Sequence, residues 1–219
     1  MTHTIAVKQV TALRSRNAIP MDEPTDRTLQ SRPDEVLIAM SRDGREEAFA
    51  VLVQRYQNRV YSLVHRILHI PTETEDMAQD VFVTVYRTLE QFRGDCSFST
   101  WVYRIAVNLC KNRLKYLQRR NFHRAQDIEE TSDNAIRSPQ PMAFANPEQQ
   151  LLGRELERLL QQELAALEED FRIVLVLRDL EHLSYEEIAD ITNLALGTVK
   201  SRIHRARSML KSRMEPYLR

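Results

Sequence analysis

The chain has 219 residues, of which 42% are hydrophobic and 28% charged, enough for one domain or two small ones built around apolar cores. Its 31 Lys and Arg balance 31 Asp and Glu, so any affinity for nucleic acid must come from the clustering of charge and not from its sum. Four glycines, few aromatics and long runs of Leu, Ile, Val, Glu and Arg argue for helices nearly throughout, and no apolar run approaches the roughly 18 residues of a membrane span.

Residues 1–33 mix Thr, Arg, Ser, Asp and Pro with no sustained helical period and read as a disordered tail; they also lack the continuous apolar core of a signal peptide. A cytoplasmic protein is expected. From Asp34 the pattern turns helical: Val36, Leu37 and Met40 start a short helix that Gly44 can end. Ala48, Leu52, Tyr56, Val60, Leu63, Val64 and Ile67 mark a long second helix closed by Pro71. A third helix, from about Glu73 to Glu90, buries Ala78, Val81, Phe82, Val85, Tyr86 and Leu89. The loop Gln91 to Phe98 carries Gly94, and a fourth helix runs from about Thr100 to Arg119 with Ser99 as its cap.

That fourth helix is the chemical centre of the first half. No acid occurs between Asp95 and Asp127, while Arg104, Lys111, Arg113, Lys115, Arg119, Arg120 and Arg124 accumulate, and Arg104, Asn108, Lys111 and Lys115 share one stripe. Phe92, Phe98, Trp101 and Tyr103 lie close by. A positive groove interleaved with flat rings can hold single-stranded nucleic acid by phosphate contact and stacking; each ring alone reads equally well as a core residue. Residues 121–147, acidic at Asp127, Glu129 and Glu130 and stiffened by Pro139 and Pro141, read as a linker.

From Glu148 the helical period resumes through Leu151, Leu156, Leu160, Leu164, Leu167, Val174 and Leu177. It ends in a helix-turn-helix pattern. Ser184 and Glu187 form a capping box for the first helix, residues 194–197 make the turn, and the second helix puts Val199, Ile203, Ala206 and Leu210 on one side. Lys200, Ser201, His204, Arg205, Ser208 and Lys211 occupy the other, a face able to donate to guanine edges and phosphates in a major groove. Acids dominate from Glu155 to Asp190, yet Glu215 is the sole acid from Thr198 onward, so this unit is acidic behind and basic on its reading helix. The fold class is all-α: two small helical domains, 34–120 and 148–219, joined by a flexible linker.

Three segments, Asp76 to Arg87, Phe92 to Asn108 and Leu183 to Arg207, in this order and spacing, resemble an extracytoplasmic-function (ECF) sigma factor of the sigma-70 family. The resemblance implies a four-helix sigma-2 domain at 34–120 and a helix-turn-helix sigma-4 domain at 148–219. It implies a non-catalytic specificity subunit of bacterial RNA polymerase, directing promoter-specific initiation, whose partners are core polymerase, promoter DNA as duplex and single strand, and often an anti-sigma factor. Asp76, Gln79, Asp80 and Phe82 would dock on the polymerase. The loop around Phe92, Arg93 and Phe98 would capture a flipped base of the −10 element, with Trp101, Arg104, Asn108 and Lys111 holding the strand; extracting a base costs a few kcal/mol, which stacking and hydrogen bonds can offset. Readout of the −35 duplex would fall to Lys200, Ser201, His204 and Arg205, with Arg202 and Arg207 better placed for phosphates. Asp127, Glu129 and Glu130 of the linker would approach the polymerase active centre.

The alternative is an autonomous dimeric helix-turn-helix regulator reading a palindrome. An enzyme has little support, because no nucleophile–base set and no Gly-rich phosphate loop appears at workable spacing. No metal, cofactor or small-molecule substrate is expected: Glu73, Glu75, Asp76 and Asp80 have no accompanying His and scatter round their helix. Cys96 and Cys110 lack CxxC spacing and read as reduced, structural thiols.

Overall fold

The computed structural model describes residues 28–124 and 147–217, with the side chains of 121–124 and 147–154 left aside. Every regular element among them is helical: α1 (Asp34–Arg42), α2 (Glu46–Leu68), α3 (Pro71–Thr88), α4 (Phe98–Arg124), α5 (Pro147–Ala165), α6 (Glu169–Leu175), α7 (Tyr185–Thr192) and α8 (Leu196–Met214), with short 3-10 turns at Leu89–Gln91 and Glu215–Tyr217. The expected linker falls mostly outside the described residues, and α4 reaches into it as far as Arg124.

Helix α2 is the axis of the first half, packed by α1, α3 and α4. Its first turn carries Glu46 and Glu47 and its last His65 and Arg66, charges that complement the helix dipole at each end. It stops at His69, a left-handed residue (φ 55°) whose N–H donates to the His65 carbonyl. Pro71 does not close α2 as expected; it opens α3 at the first helical position, where its missing N–H costs nothing. Leu37, Leu52, Leu63, Ile67, Val81, Val85, Val102 and Val107 are at most 1% exposed and form the core beneath. Residues 28–33, read from sequence as the end of the tail, are drawn onto this bundle: Arg55 donates to the carbonyls of Gln30 (3.1 Å) and Arg32 (3.0 Å) and pairs with Asp34.

In the second half α8 packs chiefly on α6, with α7 and α5 against its flanks. Helix α6 widens into a π-helical turn, Val176–Leu180, before the chain reverses at left-handed His182. The two halves touch. The apolar cluster of the first runs without a break into Ile173, Leu177, Ile188 and Ile191 of the second, and α7 lies along α4.

His69 sits in this contact, and burial, then the neighbouring Arg172 guanidinium and His65, push its imidazole down to about 3. His65, stacked on Tyr61, is lowered as well, chiefly by burial. A depressed imidazole binds its proton more weakly folded than unfolded, so stability is full above about pH 6.5 and declines as the pH falls toward 3. His69→Asn keeps a residue tolerant of the left-handed cap and removes the titration. Urea unfolding across that range should show a flatter decline in the variant than in the parent, with His65 contributing to what remains; identical slopes would assign the acid sensitivity elsewhere.

Candidate nucleic-acid interface

The loop between α3 and α4 is pinned at both ends. Arg42, at the end of α1, donates to the Leu89 carbonyl through Nε (3.2 Å) and Nη2 (3.0 Å) and to the Phe92 carbonyl as well, so a guanidinium from the first helix fixes where the loop begins. At the far end the α4 cap is Ser97 and not Ser99: its hydroxyl accepts from the Thr100 N–H at 3.1 Å. Between them Gly94 takes a positive φ of 80°, and Arg93, Gly94 and Asp95 project into solvent. Phe92 and Phe98 are buried, meet edge to face at 5.6 Å and flank Trp101, whose ring is half-buried at 5.2 and 5.9 Å from theirs. The two phenylalanines therefore form the floor under the loop, and Trp101 is the ring nearer the surface. Tyr103 is 1% exposed and donates its hydroxyl to Glu181 at 2.9 Å.

Along α4 the inward side is apolar: Val102, Ala106, Val107 and Cys110 have no exposed surface. The cationic stripe lies opposite, but it does not face open solvent throughout. Arg104 and Asn108 line a cleft of about 450 Å³ whose other wall is α7 and the turn after it, Ala189, Asp190, Ile191, Asn193 and Leu194. Lys111 is paired with Asp170 at 3.3 Å, and Arg113 is occupied by Glu73 (2.6 Å).

The helix-turn-helix forms as its sequence dictates. Ser184 Oγ accepts from the Glu187 N–H (3.1 Å) while the Glu187 carboxylate accepts from the Ser184 N–H (2.8 Å), and that bond, with those it accepts from the Ser184 and Thr100 hydroxyls, holds the carboxyl below its usual range. The turn is shorter than expected. Asn193, in the left-handed region, ends α7, Ala195 caps α8, and Gly197 already lies in the first turn of α8. Val199, Ile203 and Ala206 are buried against the unit, which turns Lys200, Ser201, His204 and Arg205 outward as one exposed face. Lys200 is steadied from behind, its Nζ lying 5.8 Å from the centre of the Tyr185 ring. Arg202 and Arg207 are spoken for: Arg202 meets Asp170 at 2.9 Å, and Arg207 makes a two-pronged bond to Asp179, its Nε at 3.0 Å.

On α3, Asp76 and Asp80 are exposed and Gln79 half-exposed on adjoining turns, whereas the Phe82 ring is buried in the core. Partial burial and the neighbouring Asp76 charge raise the Asp80 carboxyl. Among the described residues no group of three or more His, Cys, Asp or Glu is arranged to hold a metal ion, and no helix is long and apolar enough to cross a membrane. Both thiols are free, and burial pushes that of Cys110 up to about 12. Sequence reasoning missed Arg42, Ser97, Asp170, Asp179 and Glu181. Ser97 was legible as a capping hydroxyl two residues earlier; the others carry no local signal, because their partners lie on other elements.

A pinned loop leading into a cationic helix, followed by a basic-faced helix-turn-helix, defines a two-part helical protein with the surface chemistry of nucleic-acid binding, and its relatives establish its family. The Sigma-70 region 2 family model matches residues 52–120 and the Sigma-70 region 4 model residues 157–210. The chain belongs to the sigma-70 family, as an RNA polymerase sigma factor of the ECF group. It is 41% identical over 187 residues to the ECF RNA polymerase sigma-E factor of Escherichia coli K12, covering 85% of this chain and 96% of that one. It is 38% identical over 195 residues to the RNA polymerase sigma-H factor of Pseudomonas aeruginosa, covering 87% and 98%. The same fold recurs in the Bartonella quintana sigma factor RpoE solved with the anti-sigma factor NepR (TM-score 0.59, 21% identity, 76% of this chain and 96% of that one) and in CnrH solved with the cytosolic domain of CnrY (TM-score 0.57, 24% identity, 84% and 97%). A match to both regions on one chain favours the sigma reading over an autonomous dimeric regulator.

Because the capping box satisfies backbone N–H groups at the start of α7, Ser184→Ala should lower unfolding stability by about 1 kcal/mol. Chemical denaturation of the full chain measures this. Ser97→Ala should cost a similar amount and Ser99→Ala far less, which identifies the α4 cap.

Proposed function

We propose that this protein confers promoter specificity on bacterial RNA polymerase in three separable contacts, none of which makes or breaks a covalent bond. The exposed carboxylates Asp76 and Asp80, with Gln79, dock on a basic surface of the core enzyme, and Phe82 supports that turn of α3 from within. Opposite charges across such a surface set register and speed encounter. Arg93 and Trp101 receive an unstacked base above the Phe92–Phe98 floor, while Arg104, Asn108 and Lys111 hold the adjoining −10 strand. Lys200, Ser201, His204 and Arg205 read the −35 duplex in its major groove, and Arg202 and Arg207 take phosphates once released from their carboxylate partners. The protein acts in the cytoplasm, where its polymerase is, and an anti-sigma factor that covers these faces would keep it silent.

The observation that carries this reading is the presence, in one chain matching both sigma-70 regions, of two distinct basic faces: α4 beside a pinned loop, and α8 opposite a buried apolar stripe. Purified protein added to core polymerase should produce transcripts from a defined promoter class on a genomic template library, and neither component alone should do so. Absence of promoter-dependent transcripts from the reconstituted enzyme would overturn the assignment.

Within that assay Arg205→Ala should cost about 1–3 kcal/mol of discrimination at a single −35 base pair. Equal weakening on all sequences would make Arg205 a phosphate contact instead.

A further inference from the structure

Helix α1 carries no residue assigned to DNA or to polymerase, and it precedes the Sigma-70 region 2 match, which begins at residue 52. Its two ends nevertheless hold the two ends of the base-capture loop. At its last residue, Arg42 donates through Nε and Nη2 to the Leu89 carbonyl and through Nη2 to that of Phe92. The Phe92 N–H donates to the same Leu89 carbonyl at 3.1 Å, so the guanidinium ties the 3-10 turn Leu89–Gln91 to the residue that follows it. At its first residue, Asp34 accepts from the Tyr56 hydroxyl, and the Tyr56 ring meets that of Phe98 edge to face at 5.4 Å. Phe92 and Phe98 are themselves 5.6 Å apart. One nine-residue helix thus braces both rings of the floor, and Arg93, Gly94 and Asp95 project beyond that frame.

We propose that α1 is the positioning element of the base-capture loop and Arg42 its positioning residue, so that the fork on Leu89 and Phe92 sets how the floor and Trp101 meet an unstacked base and how strongly one base is preferred. This rests on the assignment of the loop to the −10 element. The ties are charge-assisted and made to main-chain carbonyls, so they fix the path of the backbone itself. A guanidinium is suited to this because its planar fork presents two N–H directions in a fixed relation, whereas an ammonium is a single point of charge. Choice among bases depends on close fit at the base, while phosphate contacts on α4 hold any strand alike. A small displacement of the floor therefore costs discrimination at the captured base more than it costs overall affinity.

The test uses reconstituted holoenzyme and a promoter library with randomised −10 positions, and sequencing of the transcripts gives the base preference at each. Arg42→Met, the milder Arg42→Lys and a control, Arg45→Met at an exposed site three residues on, are compared with the parent. Arg42→Met should relax preference at the most restricted −10 position by about tenfold and leave the other positions and the −35 element unchanged. Arg42→Lys keeps the charge without the fork and should relax the same position, whereas Arg45→Met should not. Trp101, the single tryptophan of the chain, reports on the pocket without DNA. Its quenching by acrylamide in the free protein should rise in both Arg42 variants, with urea unfolding showing that each is folded. Base preferences like the parent's in either Arg42 variant, equal loss of initiation at every −10 sequence, or unchanged quenching overturns the inference. A parent holoenzyme with no −10 preference strikes the functional assignment instead, and the quenching still decides whether Arg42 sets the loop.

Discussion

Helix α4 is the constraint on which the rest of the molecule depends. Its inward side, Val102, Tyr103, Ala106, Val107 and Cys110, is almost wholly buried among α2, α3 and the edge of the second half, and this packing turns its cations away from the core of the first half. Removing that apolar side from water is the dominant favourable term in placing the helix. Everything functional in the first domain is then registered to it. The loop above it is hung between Arg42 and Ser97, its aromatic floor rests on the same core, and the second domain docks along its outer edge.

The protein as a whole is neutral, and the structure gives that neutrality a meaning. Acids and bases are not mixed evenly; they are separated onto different helices and then brought face to face. Asp170, Asp179, Glu181 and Glu187 each meet a basic or hydroxyl group from another element. Several cations of the positive surfaces, Lys111, Arg202 and Arg207 among them, thus pair with carboxylates of the chain itself. The four outward residues of α8, Lys200, Ser201, His204 and Arg205, escape this arrangement because the buried stripe of Val199, Ile203 and Ala206 rotates them away from the acidic side.

Periodicity was sufficient to place the helices because each buries one continuous stripe. Boundaries were read less well where a single residue serves the next element and not the previous one. Pro71 begins α3, Ser97 and not Ser99 caps α4, and the turn expected over 194–197 runs over 193–195, with Leu196 and Gly197 already in α8. The basic face of α8 was legible from spacing alone, since helical geometry converts sequence offset directly into direction. Aromatic residues were the least legible. Phe92 and Phe98 lie inside while Trp101 reaches the surface, although all three sit within one stretch of similar composition.

What the sequence determined by itself is whatever local geometry controls: the all-helical class, the capping box at Ser184, the amphipathic sides of α4 and α8, and the segregation of charge along the chain. These need only a rise per residue and an angle per residue to be deduced. What the tertiary structure alone decided is which charges find each other across distant segments, as when Arg42 reaches Phe92 and Asp170 meets both Lys111 and Arg202. Such partnerships depend on how whole helices stack, and stacking is set by the summed fit of many apolar side chains, a quantity that no short window of residues contains.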